Sequence, residues 1–322
     1  MTTQTPIRSG FGAHSTAWDV LNGIGLNGQR AIVTGGYSGI GLETSRALAD
    51  AGADVIAPGR SQDKAKAALA SIPRAQPAAL DLADPASIDA FADAILAEGR
   101  PVPILICNAA IMACPLDRDG RGYESQFAIN HLGHWQLIAR LWPVLAQAGQ
   151  SGGGRVVCLS SLGHRLSPVD FDDPHWTRRD YHKWRAYGQA KTANSLTAVG
   201  LDSRAKGYGV RAFAVHPGGI MTDLQRSLAR EEMMAFGWID ADGKVDPRFK
   251  TPEQGAATSV WAATSPQLAG MGGLYCEDCD VALGVPDEDL SVTGVRSWAV
   301  DPAAADRLWA LSEAQTGVKS PL

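Results

Sequence analysis

The run Ala31-Ile32-Val33-Thr34 has the apolar, β-branched character of a short buried strand, and it leads straight into Gly35-Gly36-Tyr37-Ser38-Gly39-Ile40-Gly41. Alanines and leucines from Leu42 to Ala51 then read as a helix. No other stretch restricts the fold as tightly. A strand, a glycine turn and a helix in that order aim backbone N–H groups and the positive end of a helix dipole at one point, where a pyrophosphate can sit. Glycines also serve ordinary tight turns, so the flanking strand and helix are what make this segment an expected dinucleotide site. Its residues are Gly35, Ser38, Gly39, Ile40 and Gly41.

Strand-like and helix-like segments alternate from there on. Strands are expected at Asp54 to Ala57, Ala78 to Leu82, Ile104 to Cys107, Arg155 to Leu159, Val210 to Val215 and, last, Gly273 to Tyr275. Helices are expected at Pro85 to Ala97, Phe127 to Leu145, Tyr187 to about residue 206, from Thr251, and at Ala303 to Ala314. This order predicts an α/β fold, a single-domain Rossmann-type doubly wound parallel sheet with helices on both faces. The expected domain spans 29–284, with an N-terminal extension at 1–28 packing on its edge and a C-terminal tail at 285–322 packing on the domain or on a partner subunit. Ligands bind such sheets at the carboxyl ends of the strands, where Gly35, Arg60, Asp81, Leu82 and Asn108 fall. An NAD site usually carries Asp or Glu at the end of the second strand. Here that place holds Gly59 followed by Arg60. A guanidinium suits a 2′-phosphate, so NADP(H) is favoured over NAD(H).

Tyr187-Gly188-Gln189-Ala190-Lys191 carries the expected chemistry. A free phenol with a pKa of about 10 is a poor acid or base near neutrality. Lys191 stands one helical turn away on the same face, and a nearby cation lowers a phenol's pKa. Tyr187 could then pass a proton to or from an alcohol oxygen. Ser161 closes the fifth strand on the ligand side, within reach of the same reacting group.

The succession Thr34-Gly35-x-x-x-Gly39-x-Gly41, Asn108-Ala109-Ala110, Asn130, Ser161 and Tyr187-x-x-x-Lys191 resembles the short-chain dehydrogenase/reductase family. The sequence around Asn130, Ser161 and Tyr187 looks like the branch that holds retinol dehydrogenases, WW-domain oxidoreductases and light-dependent protochlorophyllide reductases. The resemblance implies catalytic roles for Asn130, Ser161, Tyr187 and Lys191. It implies dinucleotide contacts at Asn108, Ala109, Ala110, Tyr187, Lys191, Pro217, Gly218, Ile220 and Thr222, substrate contacts at Ser161 and Tyr187, and a mobile lid over residues 223–248. Ala110 stands where most of the family has glycine.

Between Ser161 and Tyr187 lies a long insert with Phe171, Trp176, Tyr181 and Trp184. These aromatics serve either as a binding wall or as packing for the loop itself. The expected activity is interconversion of a secondary alcohol and a ketone or aldehyde on a bulky, largely apolar small molecule. Reduction of a C=C bond is the alternative within the family. A non-catalytic dinucleotide sensor would be expected to lose Tyr187 or Lys191, and both are present.

Lys and Arg number 29 against 34 Asp and Glu, for a net charge of −5, which gives no electrostatic case for nucleic acid or an anionic membrane. No apolar run approaches the roughly 18 residues of a membrane helix, and the N-terminus lacks a signal-peptide pattern, so a cytoplasmic location is expected. Five cysteines fit reduced thiols better than a disulfide framework. The single C-x-x-C pair, Cys276 and Cys279, has no nearby third and fourth ligand, and no metal is expected. The family resemblance implies a homodimer or homotetramer paired through the helices at 127–146 and 187–206, where Leu137, Leu141 and Leu145 fit either an interface or burial in one chain.

Overall fold

The computed structural model describes residues 4–322. In chain order the main elements are α1 (Ala17–Val20), β1 (Arg30–Val33), α2 (Gly39–Asp50), β2 (Asp54–Gly59), α3 (Gln62–Leu69), β3 (Ala75–Ala79), α4 (Pro85–Ala97) and β4 (Ile104–Cys107). They continue with α5 (Ser125–Phe127), a π turn (Ala128–Leu132), α6 (Gly133–Gln150), β5 (Gly154–Leu159), α7 (Lys183–Ala205), β6 (Val210–His216), α8 (Arg230–Ala235) and α9 (Pro252–Thr264). The chain ends with β7 (Leu274–Glu277), β8 (Asp280–Val281), β9 (Gly284–Val285), β10 (Val295–Arg296) and α10 (Pro302–Thr316).

Eight of the strands form one sheet in the order β3-β2-β1-β4-β5-β6-β7-β8, and β9 and β10 pair separately. The first seven are parallel and β8 returns antiparallel to β7. Strand order reverses between β1 and β4, which opens a crevice at their carboxyl ends. Alternation along the strands feeds two apolar layers. Ile32, Leu105, Val156 and Ala212 pack with Phe91 of α4, Leu137 and Leu141 of α6 and Leu201 of α7. Val33, Ile106, Val157 and Phe213 pack on the other face with Leu48 of α2 and Val260 and Trp261 of α9. Strands buried on both sides explain why their sequences are short, nearly unbroken apolar runs.

Several expected boundaries differ, and three of the differences have a clear physical reason. β3 is Ala75–Ala79 rather than 78–82. It is the half-exposed edge strand, where Pro77 is tolerated because no ladder bond needs its nitrogen, whereas the more apolar Leu80 and Leu82 lie beyond the strand and are buried against α4 and α6. α7 begins at Lys183, capped by the His182 side chain on the Arg185 N–H, so Tyr187 sits in its second turn. The helical stretch around Asn130 is interrupted by the π turn.

At the N-terminus, the Gln4 side chain bonds the Tyr275 and Ala282 carbonyls, and α1 packs on α9. At the other end, α10 lies across α7 and α6, with Trp309 meeting Trp135 edge-on and Leu308 buried. Leu137, Leu141 and Leu145 are wholly buried within the one chain. A homodimer or homotetramer would therefore have to pair through other residues. Among the described residues, no helix is long and apolar enough to cross a membrane.

Candidate active site

A cleft of about 2000 Å³ runs along the carboxyl ends of the strands. Every sequence-predicted site residue except Asn130 lines it, from Arg60 at one end to Ser161, Tyr187 and Lys191 at the other. Asn130 is fully buried beneath the floor, its side chain accepting from the Ile111 N–H and donating to the Ile111 carbonyl, both at 2.9 Å.

The glycine turn is shaped for close approach. A Cβ on Gly36 would stand 2.5 Å from Ser45 Oγ, and one on Gly41 would stand 2.5 Å from both Asn108 Nδ2 and the Gly35 oxygen. Gly39 has φ +50° and faces Thr222. Ser38 precedes α2 without bonding its first N–H groups through the side chain, so those donors are left for an anion. The Asn108 side chain donates to the Thr34 carbonyl at 2.8 Å, which joins the β1 and β4 turns across the switch point. These features fit a dinucleotide laid along the cleft.

Two contributors at the end of the cleft beside Arg60 escaped the sequence reading. Gly59 is pressed against Tyr37, since a Cβ there would lie 2.1 Å from Tyr37 Cε1. The aromatic ring thus fills the place where an acidic side chain would be expected in an NAD site. Lys64 joins the exposed Arg60 on the same wall. The clue was present only as a missing side chain, because Tyr37 sits inside the glycine turn and nothing in its spacing pairs it with residue 59.

At the catalytic end, Tyr187 and Lys191 share the buried face of α7. Burial pushes the Tyr187 phenol up to about 12, while the Ser161 hydroxyl beside it pulls the other way. Burial also holds Lys191 down at about 7. Its ammonium donates to the Leu159 carbonyl at 3.0 Å and lies 5.6 Å from the tyrosine ring centroid. The expected lowering of the phenol by Lys191 is therefore not present in this geometry. Desolvation dominates, and Ser161 is the group that counteracts it. Ser161 itself is fixed at the head of a short 3₁₀ turn, accepting from the Gly163 N–H at 3.0 Å.

The aromatic insert divides. Trp184 lines the cleft, meeting Tyr187, Phe236 and Trp238 edge-on. Phe171, Trp176 and Tyr181 instead pack on their own domain. Arg307 covers Phe171, Arg179 stacks 3.7 Å above Trp176, and the Tyr181 hydroxyl donates to Glu124. Phe249, which the sequence reading passed over, closes the lid's aromatic group against Trp238. The segment 223–248 borders the cleft and is tethered to it, with Glu232 of α8 accepting from Lys183 Nζ at 2.6 Å and from Trp184 Nε1 at 2.8 Å. Cys276 and Cys279 are buried free thiols in the β7–β8 hairpin, and among the described residues no group of three His, Cys, Asp or Glu could hold a metal ion.

The family model described as short chain dehydrogenase matches residues 29–233. A probable oxidoreductase of Streptomyces lividans is 48% identical over 292 residues, covering 88% of this chain and 96% of the relative. The human WW domain-containing oxidoreductase is 34% identical over 312 residues, 92% of this chain and 73% of its own length. A solved structure from Mycobacterium paratuberculosis superposes with a TM-score of 0.74 at 31% identity, covering 96% of this chain and all of that one. With these matches and a nucleotide-binding Rossmann-type sheet, the chain is an oxidoreductase belonging to the short-chain dehydrogenase/reductase family.

Proposed function

We propose that the chain interconverts an alcohol and a ketone or aldehyde on a bulky, largely apolar substrate, using NADP(H) in preference to NAD(H). The observation that carries this reading is the convergence of Ser161, Tyr187 and Lys191 on one buried end of a cleft whose other end is the glycine turn. Bound dinucleotide would supply or accept the hydride at its nicotinamide ring. Tyr187 gives a proton to the carbonyl oxygen in reduction and takes it from the alcohol in oxidation. The Ser161 hydroxyl holds that oxygen beside the phenol and stabilises its developing charge. Lys191 supplies donors for the nicotinamide ribose, and Asn130 belongs to the path by which the tyrosine's proton is replaced.

Support for the cofactor preference comes from Tyr37 occupying the space beside Gly59 and from Arg60 and Lys64 on the same wall. Support for an apolar substrate comes from Trp184, Phe236, Trp238 and Phe249 around the reacting end. Five unbridged cysteines fit a reducing compartment such as the cytoplasm. The test is NADPH and NADH oxidation against steroid, retinoid, aryl and small aliphatic carbonyls, with Tyr187→Phe alongside. Turnover with a bulky carbonyl that disappears in the variant is expected. Turnover of activated alkenes alone would move the assignment to C=C reduction.

A further inference from the structure

A line of hydrogen bonds runs under the cleft through Thr34 and His134, to which no role has been given above. The Thr34 hydroxyl oxygen accepts from the Asn108 N–H at 2.9 Å and from the Ala109 N–H at 3.0 Å, and it lies 2.9 Å from His134 Nε2. The other ring nitrogen, Nδ1, lies 3.0 Å from the main-chain oxygen of Asn130. A hydroxyl has one proton and two lone pairs. With both lone pairs taken by N–H groups, the Thr34 proton goes to Nε2 at 2.9 Å in preference to the Ile106 carbonyl at 3.5 Å, so Nε2 is bare and Nδ1 carries the ring hydrogen. The far end of the ring gives the same tautomer independently, because a carbonyl oxygen only accepts.

The ring is also held neutral. His134 is 4% exposed, and burial keeps it down at about 4, with the nearby Lys191 ammonium adding to the effect. A second ring proton would face a hydroxyl oxygen with no lone pair to offer. Asn130 stands in the middle of the π turn Ala128–Leu132, where the regular i→i−4 ladder is broken. Its side chain is already committed to Ile111. The His134 imidazole therefore bridges the β1–β4 turns at the switch point and the carbonyl of Asn130.

We infer that His134 is a positioning residue. Its Nε2 orients the Thr34 hydroxyl, and through it the Asn108 and Ala109 N–H groups, while its Nδ1–H fixes the carbonyl of Asn130, the residue that the function proposed above places on the proton path. A carbonyl has two lone pairs, so one stays engaged by His134 and the other keeps a set direction. The relay half rests on the function proposed above, whereas the dinucleotide half requires only that NADPH binds.

Three variants separate the two ends of the ring. His134→Phe keeps the planar shape and removes both nitrogens. His134→Asn places an amide near Nδ1 and retains a donor for Asn130. His134→Gln places an amide near Nε2 and retains an acceptor for Thr34. NADPH dissociation constants by fluorescence titration and pH profiles of kcat for carbonyl reduction are read on each. His134→Phe should weaken NADPH binding roughly fivefold, the worth of about one hydrogen bond, and should lower kcat with a displaced pH profile. His134→Asn should restore the profile but not the affinity, and His134→Gln the affinity but not the profile.

Three folded variants with wild-type affinity and profile would overturn the inference. So would equal losses in all three that merely follow a lowered melting temperature. If wild type turns over no carbonyl, the functional reading fails, and the NADPH arm alone then decides for or against His134. If His134→Phe does not fold, the Asn and Gln variants still decide.

Discussion

Lys191→Met should make this protein more stable while abolishing turnover. Burial holds the Lys191 ammonium at about 7, down from 10.5. A tenfold change in an ionisation equilibrium corresponds to about 1.4 kcal/mol, so keeping this lysine charged in the fold costs on the order of 4 kcal/mol at neutral pH. Between about pH 7 and 10.5 the unfolded chain holds the lysine proton more firmly than the fold does. Stability therefore rises with pH across that window and carries the full penalty below it. Methionine keeps an unbranched apolar stem and loses one hydrogen bond, worth about 1 kcal/mol. The Leu159 carbonyl is not orphaned by the change, because Asn194 Nδ2 also donates to it at 2.8 Å. A net gain on the order of 3 kcal/mol at pH 6.5 follows, or roughly 4 °C in melting temperature for a chain of this size. The assay is thermal unfolding of dinucleotide-free wild type and variant from pH 6 to 9.5. A variant that melts at or below wild type at pH 6.5, or an advantage that fails to shrink as pH rises, would refute the reasoning.

Gly59→Asp would force a side chain into the Tyr37 ring; its NADPH KM should rise at least tenfold, and steady-state kinetics with both dinucleotides would show whether NADH replaces it. Removing both cations in Arg60→Ala/Lys64→Ala should weaken NADPH roughly tenfold or more and leave NADH within about twofold, following the strength of charge-assisted bonds. Trp184→Ala should raise KM for bulky apolar carbonyls about tenfold or more, as loss of a large aromatic wall implies, with small aliphatic carbonyls much less affected. The Lys183 bond to Glu232 holds that carboxyl below its ordinary range, so the lid tether is present above that range and lost as pH falls through the lowered value. KM for a bulky substrate should accordingly become pH-independent over the acid limb in Glu232→Gln.

Much of the framework was legible because strands covered on both faces must be apolar throughout. Ile104–Cys107 and Gly154–Leu159 announce themselves in this way, and Pro85 after Asp84 marks the start of α4 by its missing N–H and by the Asp84 cap. β3 was misplaced because an edge strand buries little, while the apolar residues beside it are buried outside the ladder. The residue types of the site were readable from spacing, but their electrostatics were not. Helical periodicity places Lys191 on the face of Tyr187 yet is silent on the Leu159 carbonyl that receives the ammonium. Tyr37 and His134 were missed for a related reason. Their importance lies in what they touch across the switch point, Gly59 in one case and Thr34 in the other, and no periodicity along one segment encodes such contacts.

The central claim is that hydride moves between dinucleotide and a carbonyl carbon while Tyr187 handles the proton. Mass spectrometry of product formed with NADPH deuterated at nicotinamide C4, for wild type and Tyr187→Phe, tests it most directly. The account predicts one deuterium on the carbinol carbon from wild type and no labelled product from a variant that still binds NADPH with wild-type affinity. Labelled alcohol from Tyr187→Phe at the wild-type rate would contradict it, as would label delivered only to an alkene carbon.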